Sequence, residues 1–196
     1  LVTLSGFLRF RNIGVVMKVI KDQPDQIRET VDTVLRECDA VLTIGGAWEG
    51  DKDYSLGVLD ELGWEPHYHR VRIGPGKAVA FGLLQGKPVF CLPGGPPSNE
   101  MAFLQIAFPA ILAMSGYPPT PLATVKAILQ EEVGGQKSWT QFIYAELAEV
   151  DGKLTVTPLV SKSRLKNMAG ATAIIRIPEG ERVLLKDSCI DVQVLV

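Results

Sequence analysis

The stretch from Val89 to Gly116 carries the residues of an anion cradle. Its apolar run Val89-Phe-Cys-Leu92 breaks into Pro93-Gly94-Gly95-Pro96-Pro97, and Met101, Leu104, Phe108, Ile111 and Leu112 then recur at helical spacing. Ser98 is placed to cap that helix, with Glu100 in its first turn. Glycines between a strand and a helix turn backbone N–H groups outward and leave no Cβ in the way of an anion. A second pair, Gly45-Gly46, ends the apolar run Ala40 to Ile44 and opens a loop holding Gly50, Asp51 and Asp53. Asp22 follows a third apolar run, and Arg70 and Lys77 flank the turn at Gly74-Pro-Gly76. Two cradles, three carboxylates and two cations suit a phosphorylated ligand with a divalent ion. Mg²⁺ is commonly held by one or two carboxylates together with ligand phosphates, which points to Asp22 and Asp53, while Arg70 and Lys77 would balance the anion.

Each residue also has a plainer role. The Pro93 turn suits an ordinary strand-to-helix connection, and Asp22 suits a helix cap. Asp51 and Asp53 suit a solvated loop, and Lys77 an exposed surface. His67 and His69 share a strand face but lack a third metal ligand. Trp139, Phe142 and Tyr144 fit a core better than a stacking platform. The chain has no GxSxG elbow for acyl transfer. It also lacks a GxGxxG or a Walker lysine loop, which leaves a nucleotide or phosphosugar enzyme as the weaker alternative.

The elements that must position these groups change character along the chain. Its 196 residues, 46% hydrophobic and 21% charged, are those of a globular protein with a real core. A net charge of −2 without basic blocks argues against nucleic acid or an anionic membrane as partner, and no apolar run is long enough to span a membrane. Cys38, Cys91 and Cys189 are odd in number and far apart, which suits the reducing cytoplasm and small buried side chains. Leu1 opens the chain without a Met or a basic leader, as expected of a fragment.

Val15 to Ile20 reads as a buried strand, and an amphipathic helix follows, with Pro24 in its first turn, Ile27, Val31, Val34 and Leu35 on one face and its end at about Cys38. Ala40 to Ile44 follows as a strand, Ser55 to Leu62 as a helix and His67 to Ile73 as a strand. Ala78–Leu84 and Lys87–Leu92 form a hairpin about Gln85-Gly86. This alternation predicts an α/β domain over residues 1–117, with a three-layer, mostly parallel sheet. Pro118, Pro119 and Pro121 mark the boundary. From there the period falls to two, which predicts a small all-β domain over 118–196. Its strands are Thr124–Leu129, Thr140–Glu149, Lys153–Pro158, Ala173–Ile177 and Val192–Val196.

The motifs in this order resemble one family. Leu42-Thr-Ile-Gly-Gly-Ala-Trp-Glu-Gly-Asp-Lys-Asp-Tyr54 is similar to the GGVSVGxxDY segment of the MoeA and gephyrin E-domain family. Gly74-Pro-Gly-Lys77 resembles its KPGKP and Leu92-Pro-Gly-Gly-Pro-Pro-Ser98 its LPGNPVS, with KDQP at Lys21, LDELG at Leu59 and IPEG at Ile177 also matching. The resemblance implies a molybdopterin-binding α/β domain followed by the family's C-terminal β-domain. It implies late molybdenum cofactor synthesis by a cytoplasmic homodimer that inserts molybdate into adenylylated molybdopterin with Mg²⁺ and releases AMP. By motif, Asp22 and Asp53 fall on acidic site positions, and Arg70 and Lys77 on basic ones. Gly45, Gly46, Gly50, Pro93, Gly94, Gly95 and Ser98 fall on the pterin-binding loops, and Ser163 on a serine that the second domain contributes.

Several positions depart from that pattern. Gly95 stands for the Asn of GNP, Pro97 for the following Val, and Gly74 for the Lys before PGK. Trp48-Glu49 replace Ser-Val, and Gln141 stands where an arginine is expected. The family's first strand, with its TGDE segment, and its two N-terminal domains have no counterpart here. Two lost cations and one added carboxylate disfavour doubly anionic molybdate, each missing charge-assisted bond being worth about 1.5–3 kcal/mol. The alternative is therefore a divergent molybdopterin-binding or scaffold protein without catalysis.

Overall fold

The fold is taken from a computed structural model that describes residues 2–46 and 54–195. The chain divides into two compact units. One comprises the residues up to Val71 with Gly76–Pro119, and the other Arg72–Pro75 with the residues from Thr120 onward.

In the first unit, helix α1 (Val2–Phe10) precedes an irregular segment that leads to α2 (Pro24–Glu37). Pro24 opens α2 where a missing N–H costs nothing, and Ile27, Val31 and Leu35 recur on its buried face. Strand β1 (Val41–Ile44) and helix α3 (Tyr54–Glu61) follow, then β2 (Glu65–His69). The two-residue β3 (Ile73–Gly74) belongs to the second unit, after which β4 (Ala80–Leu84) and β5 (Lys87–Leu92) complete the first sheet. Positive φ at Gln85 and Gly86 builds the tight turn between them.

The first sheet runs β1-β5-β4-β2 and is mixed rather than mostly parallel. Only β1 and β5 run parallel; β5–β4 and β4–β2 are antiparallel because the hairpin reverses the chain. The expected strand at Val15–Ile20 is absent. Val16, Met17, Val19 and Ile20 lie exposed on irregular backbone, since no described strand pairs with them. Val89 and Cys91 pack with Val41 and Ala80 against the apolar faces of α2 and α3. Phe90 and Leu92, one residue out of phase, are buried on the opposite face.

The segment after β5 is helical from Pro96 to Met114. It consists of α4 (Pro96–Ala102), a π-helical stretch over Phe103–Ala107, and α5 (Phe108–Met114). Pro109 explains the widened turn: it cannot donate to the carbonyl four residues back, and its ring would crowd that carbonyl. Instead, the Phe108 N–H donates to the Phe103 carbonyl, five residues away. Phe7 of α1 joins this helix through its ring contacts with Phe103 and Phe108.

The second unit holds β6 (Thr124–Leu129), β7 (Val133–Gly134), β8 (Thr140–Val150), β9 (Lys153–Pro158), α6 (Arg164–Gly170), β10 (Ala173–Ile177), β11 (Val183–Leu184) and β12 (Cys189–Val194). The order β10-β12-β6-β9-β8-β3, with β10 also pairing β8, curls this sheet into a barrel-like ring. Leu129, Ala145, Val156, Ile175 and Val192 line its core. The unit is not all-β, because Ser163 starts α6 in the long connection between β9 and β10. Among the described residues, no helix is long and apolar enough to cross a membrane.

Candidate functional site

The two glycine turns of the first unit meet. Parallel pairing of β1 with β5 sets Ile44 beside Leu92, and the Gly45 N–H extends the ladder by donating to the Leu92 carbonyl at 3.0 Å. Both strands then end together. A Cβ on Gly94 would stand 3.5 Å from the Gly45 Cα, so the turns touch backbone to backbone. Gly45 and Gly46 have φ of +89° and +69°, conformations open to glycine and costly for other residues. At Gly46 a Cβ would also collide with the Ser55 side chain. The seam is therefore walled by peptide groups at the carboxyl ends of two parallel strands, where α/β sheets bind ligands.

Helix α4 begins earlier than the sequence reading places it. Gly95 is its N-cap, without a capping side chain, and Pro96 and Pro97 occupy the first two positions. Ser98 is thus a first-turn residue and not the cap. With two prolines ahead of it, Ser98 is the only one of the first three helical residues that has a backbone N–H. The donors available at the turn are the amides of Gly94, Gly95 and Ser98 and the Ser98 hydroxyl.

Two buried polar residues lie under the turn: Asn99, which sequence reasoning missed, and Glu100. The Asn99 side-chain amide donates to the Pro93 carbonyl at 3.0 Å, and its backbone N–H donates to the Gly95 carbonyl at 2.8 Å. An amide residue four positions after a glycine N-cap is a signal that could have singled Asn99 out. Glu100 was expected in the first turn; it lies past that turn and is buried.

The other expected residues are placed differently. Asp22 lies exposed on the irregular segment before α2 and makes no hydrogen bond or ion pair among the described residues. Gln23 takes the N-cap position of α2, so Asp22 is not a cap, and it follows no strand. Gly50 and Asp53, with Trp48, Glu49 and Asp51, lie outside the described residues. Arg70 ends β2 in a left-handed conformation, φ +68°, and its N–H donates to the Val79 carbonyl. The Val71 N–H donates to the Lys77 carbonyl, so the backbones of Arg70 and Lys77 sit at the neck of one loop.

In the second unit, Ser163 is the N-cap of α6, and its Oγ accepts a bond from the Lys166 N–H at 3.4 Å. Gly74 and Gln141 are register partners between β3 and β8. The two positions at which this chain carries a neutral residue for an expected cation are therefore neighbours.

Cys91 is inert. Burial pushes its thiol up to about 11, the nearby Asp60 carboxylate adds to the rise, and the neighbouring Thr43 hydroxyl opposes it. Among the described residues, no three His, Cys, Asp or Glu side chains gather as a metal cluster.

Comparison with known proteins gives the chain's family. Residues 4–113 match the family model described as a probable molybdopterin binding domain. The chain is 30% identical over 164 residues to the molybdenum cofactor synthesis protein cinnamon of Drosophila melanogaster, covering 82% of this chain and 27% of that protein. It is 26% identical over 187 residues to a molybdopterin molybdenumtransferase of Staphylococcus epidermidis, covering 93% and 45%. Among solved structures, the molybdopterin biosynthesis MoeA protein of Pyrococcus horikoshii superposes with a TM-score of 0.74 at 26% identity, covering 93% of this chain and 44% of that one. The chain thus spans less than half the length of these relatives. With its motifs and fold in agreement and a family model matching more than half of its length, the chain belongs to the MoeA-like molybdopterin-binding family of molybdenum cofactor biosynthesis.

Proposed function

We propose that the first unit binds the phosphate of molybdopterin at the seam between Gly45-Gly46 and Pro93–Ser98, and that the chain serves the insertion of molybdate into adenylylated molybdopterin with release of AMP. The observation that supports this most is the contact of the two glycine turns at the ends of β1 and β5. Peptide N–H groups there would bind the phosphate and fix the pterin's orientation. The protein would contribute mainly positioning and charge stabilisation.

Asp22, an exposed carboxylate not spent on a cap or on an ion pair among the described residues, is compatible with a Mg²⁺ ion shared with ligand phosphates. Asp22 and Asp53 would hold the ion, which when bound would offset negative charge on the phosphate oxygens. Arg70 and Lys77 would orient the anionic ligand. Gly50 belongs to the proposed site by motif. A homodimer in the cytoplasm is the proposed setting, and free Cys38, Cys91 and Cys189 are compatible with that compartment.

The pairing of Gly74 with Gln141 favours a second reading, in which the chain binds molybdopterin but does not turn over. Calorimetry with molybdopterin and AMP, with and without Mg²⁺, beside an assay for AMP release from adenylylated molybdopterin and molybdate, separates the two. Binding with Mg²⁺-dependent AMP release supports the transferase. Binding without release supports the scaffold, and no binding at all contradicts both.

A further inference from the structure

We infer that Asn99 is a positioning residue, one that aims the Gly94 N–H into the phosphate seam; the inference rests on the function proposed above. The C=O of Pro93 and the N–H of Gly94 belong to one peptide group, and in a trans peptide they point in opposite directions. The Asn99 amide donates to that carbonyl at 3.0 Å from a side chain only 5% exposed. Holding the carbonyl inward does two things at once. It removes an acceptor that would repel an anion, and it turns the Gly94 N–H outward.

The Gly94 N–H makes no hydrogen bond to another described residue. It is thus a donor kept in reserve at the surface where Gly94 meets Gly45. This matters more here than at an ordinary helix start, because Pro96 and Pro97 have already removed two amide donors. Asn99 has the geometry for the task. Its own N–H is spent on the Gly95 carbonyl, which pins its backbone to the far side of the same turn. Asn99 touches no ligand in this account. It acts through the peptide it holds.

The test uses the full chain with molybdopterin and with its dephosphorylated form, both affinities being measured by fluorescence titration. For Asn99→Asp at neutral pH, the carboxylate would face the Pro93 carbonyl and repel it. The affinity for molybdopterin falls about tenfold while that for the dephosphorylated form holds. Below about pH 5 the protonated carboxyl can donate to Pro93 again, and the ratio of the two affinities returns towards that of the unmodified chain at the same pH. A purely structural role would lower the melting temperature without this pH-reversible split. A folded Asn99→Asp chain that keeps the unmodified ratio overturns the inference, as does an equal loss for both ligands. If Asn99→Asp does not fold, Asn99→Ala carries the same test without the acid recovery. An unmodified chain that fails to distinguish the two ligands overturns the phosphate reading of the turn, and the role of Asn99 with it.

Discussion

Glycine at position 94 is where chemistry and packing separate most cleanly. A Cβ there would make an ordinary contact with Gly45, so Gly94→Ala should fold with near-unchanged stability. The added methyl would nevertheless fill the seam, and molybdopterin affinity should fall about tenfold in a titration. Gly46→Ala is the contrasting case. It combines a left-handed φ of +69° with a clash at Ser55, so denaturant unfolding should show a loss of about 1–2 kcal/mol. Cys91 gives a pH test that is independent of ligand. Its folded thiol titrates near 11, against an ordinary 9.0. The unfolded chain therefore releases that proton first, so stability is full below about pH 9 and falls on the order of 2 kcal/mol by pH 11. Cys91→Val should flatten that part of the curve in urea unfolding across the alkaline range.

At the scale of elements, the C-terminal end of α2, whose apolar face packs on the sheet, is also tied to it by one polar side chain. The Lys87 ammonium, at the start of β5, donates to the Leu35 and Cys38 carbonyls at the end of α2, at 2.5 and 2.9 Å. It satisfies acceptors that the helix leaves open and opposes the negative end of the helix dipole. Lys87→Met keeps the apolar stem and should cost about 2 kcal/mol in denaturant unfolding. How much of these elements was legible in the sequence follows from the kind of signal each gives. Alternation placed β6 and β9 to the residue, because a period of two reports directly which side of a sheet is buried, and the short apolar run Ala173–Ile177 placed β10. The same apolar signal misled at Val15–Ile20, since it shows what favours burial but not whether a pairing partner exists. The Pro93 turn was legible as a strand-to-helix connection from its glycines and prolines. The true cap at Gly95 and the role of Asn99 were not, because they depend on how two consecutive prolines shift the helix start and on a contact beneath the turn.

For the whole chain, the exposed apolar segment and the sheet edge have one consequence. Among the described residues, strand β1 ends the first sheet with an unpaired side, and Val19, in a segment that pairs with no described strand, is 87% exposed. Open edges and bare apolar runs promote association between copies. Sedimentation should show concentration-dependent association that Val19→Lys reduces, without loss of the folded circular dichroism signal. The functional claim at this scale is that two chain reversals about fifty residues apart in sequence act as one binding surface. Amide NMR of the ¹⁵N-labelled full chain during titration with molybdopterin tests it most directly. The account predicts that the amide resonances of Gly45, Gly46, Gly94 and Gly95 shift together and saturate at the same ligand concentration. Movement of one turn without the other, or of neither while binding proceeds elsewhere, would contradict it.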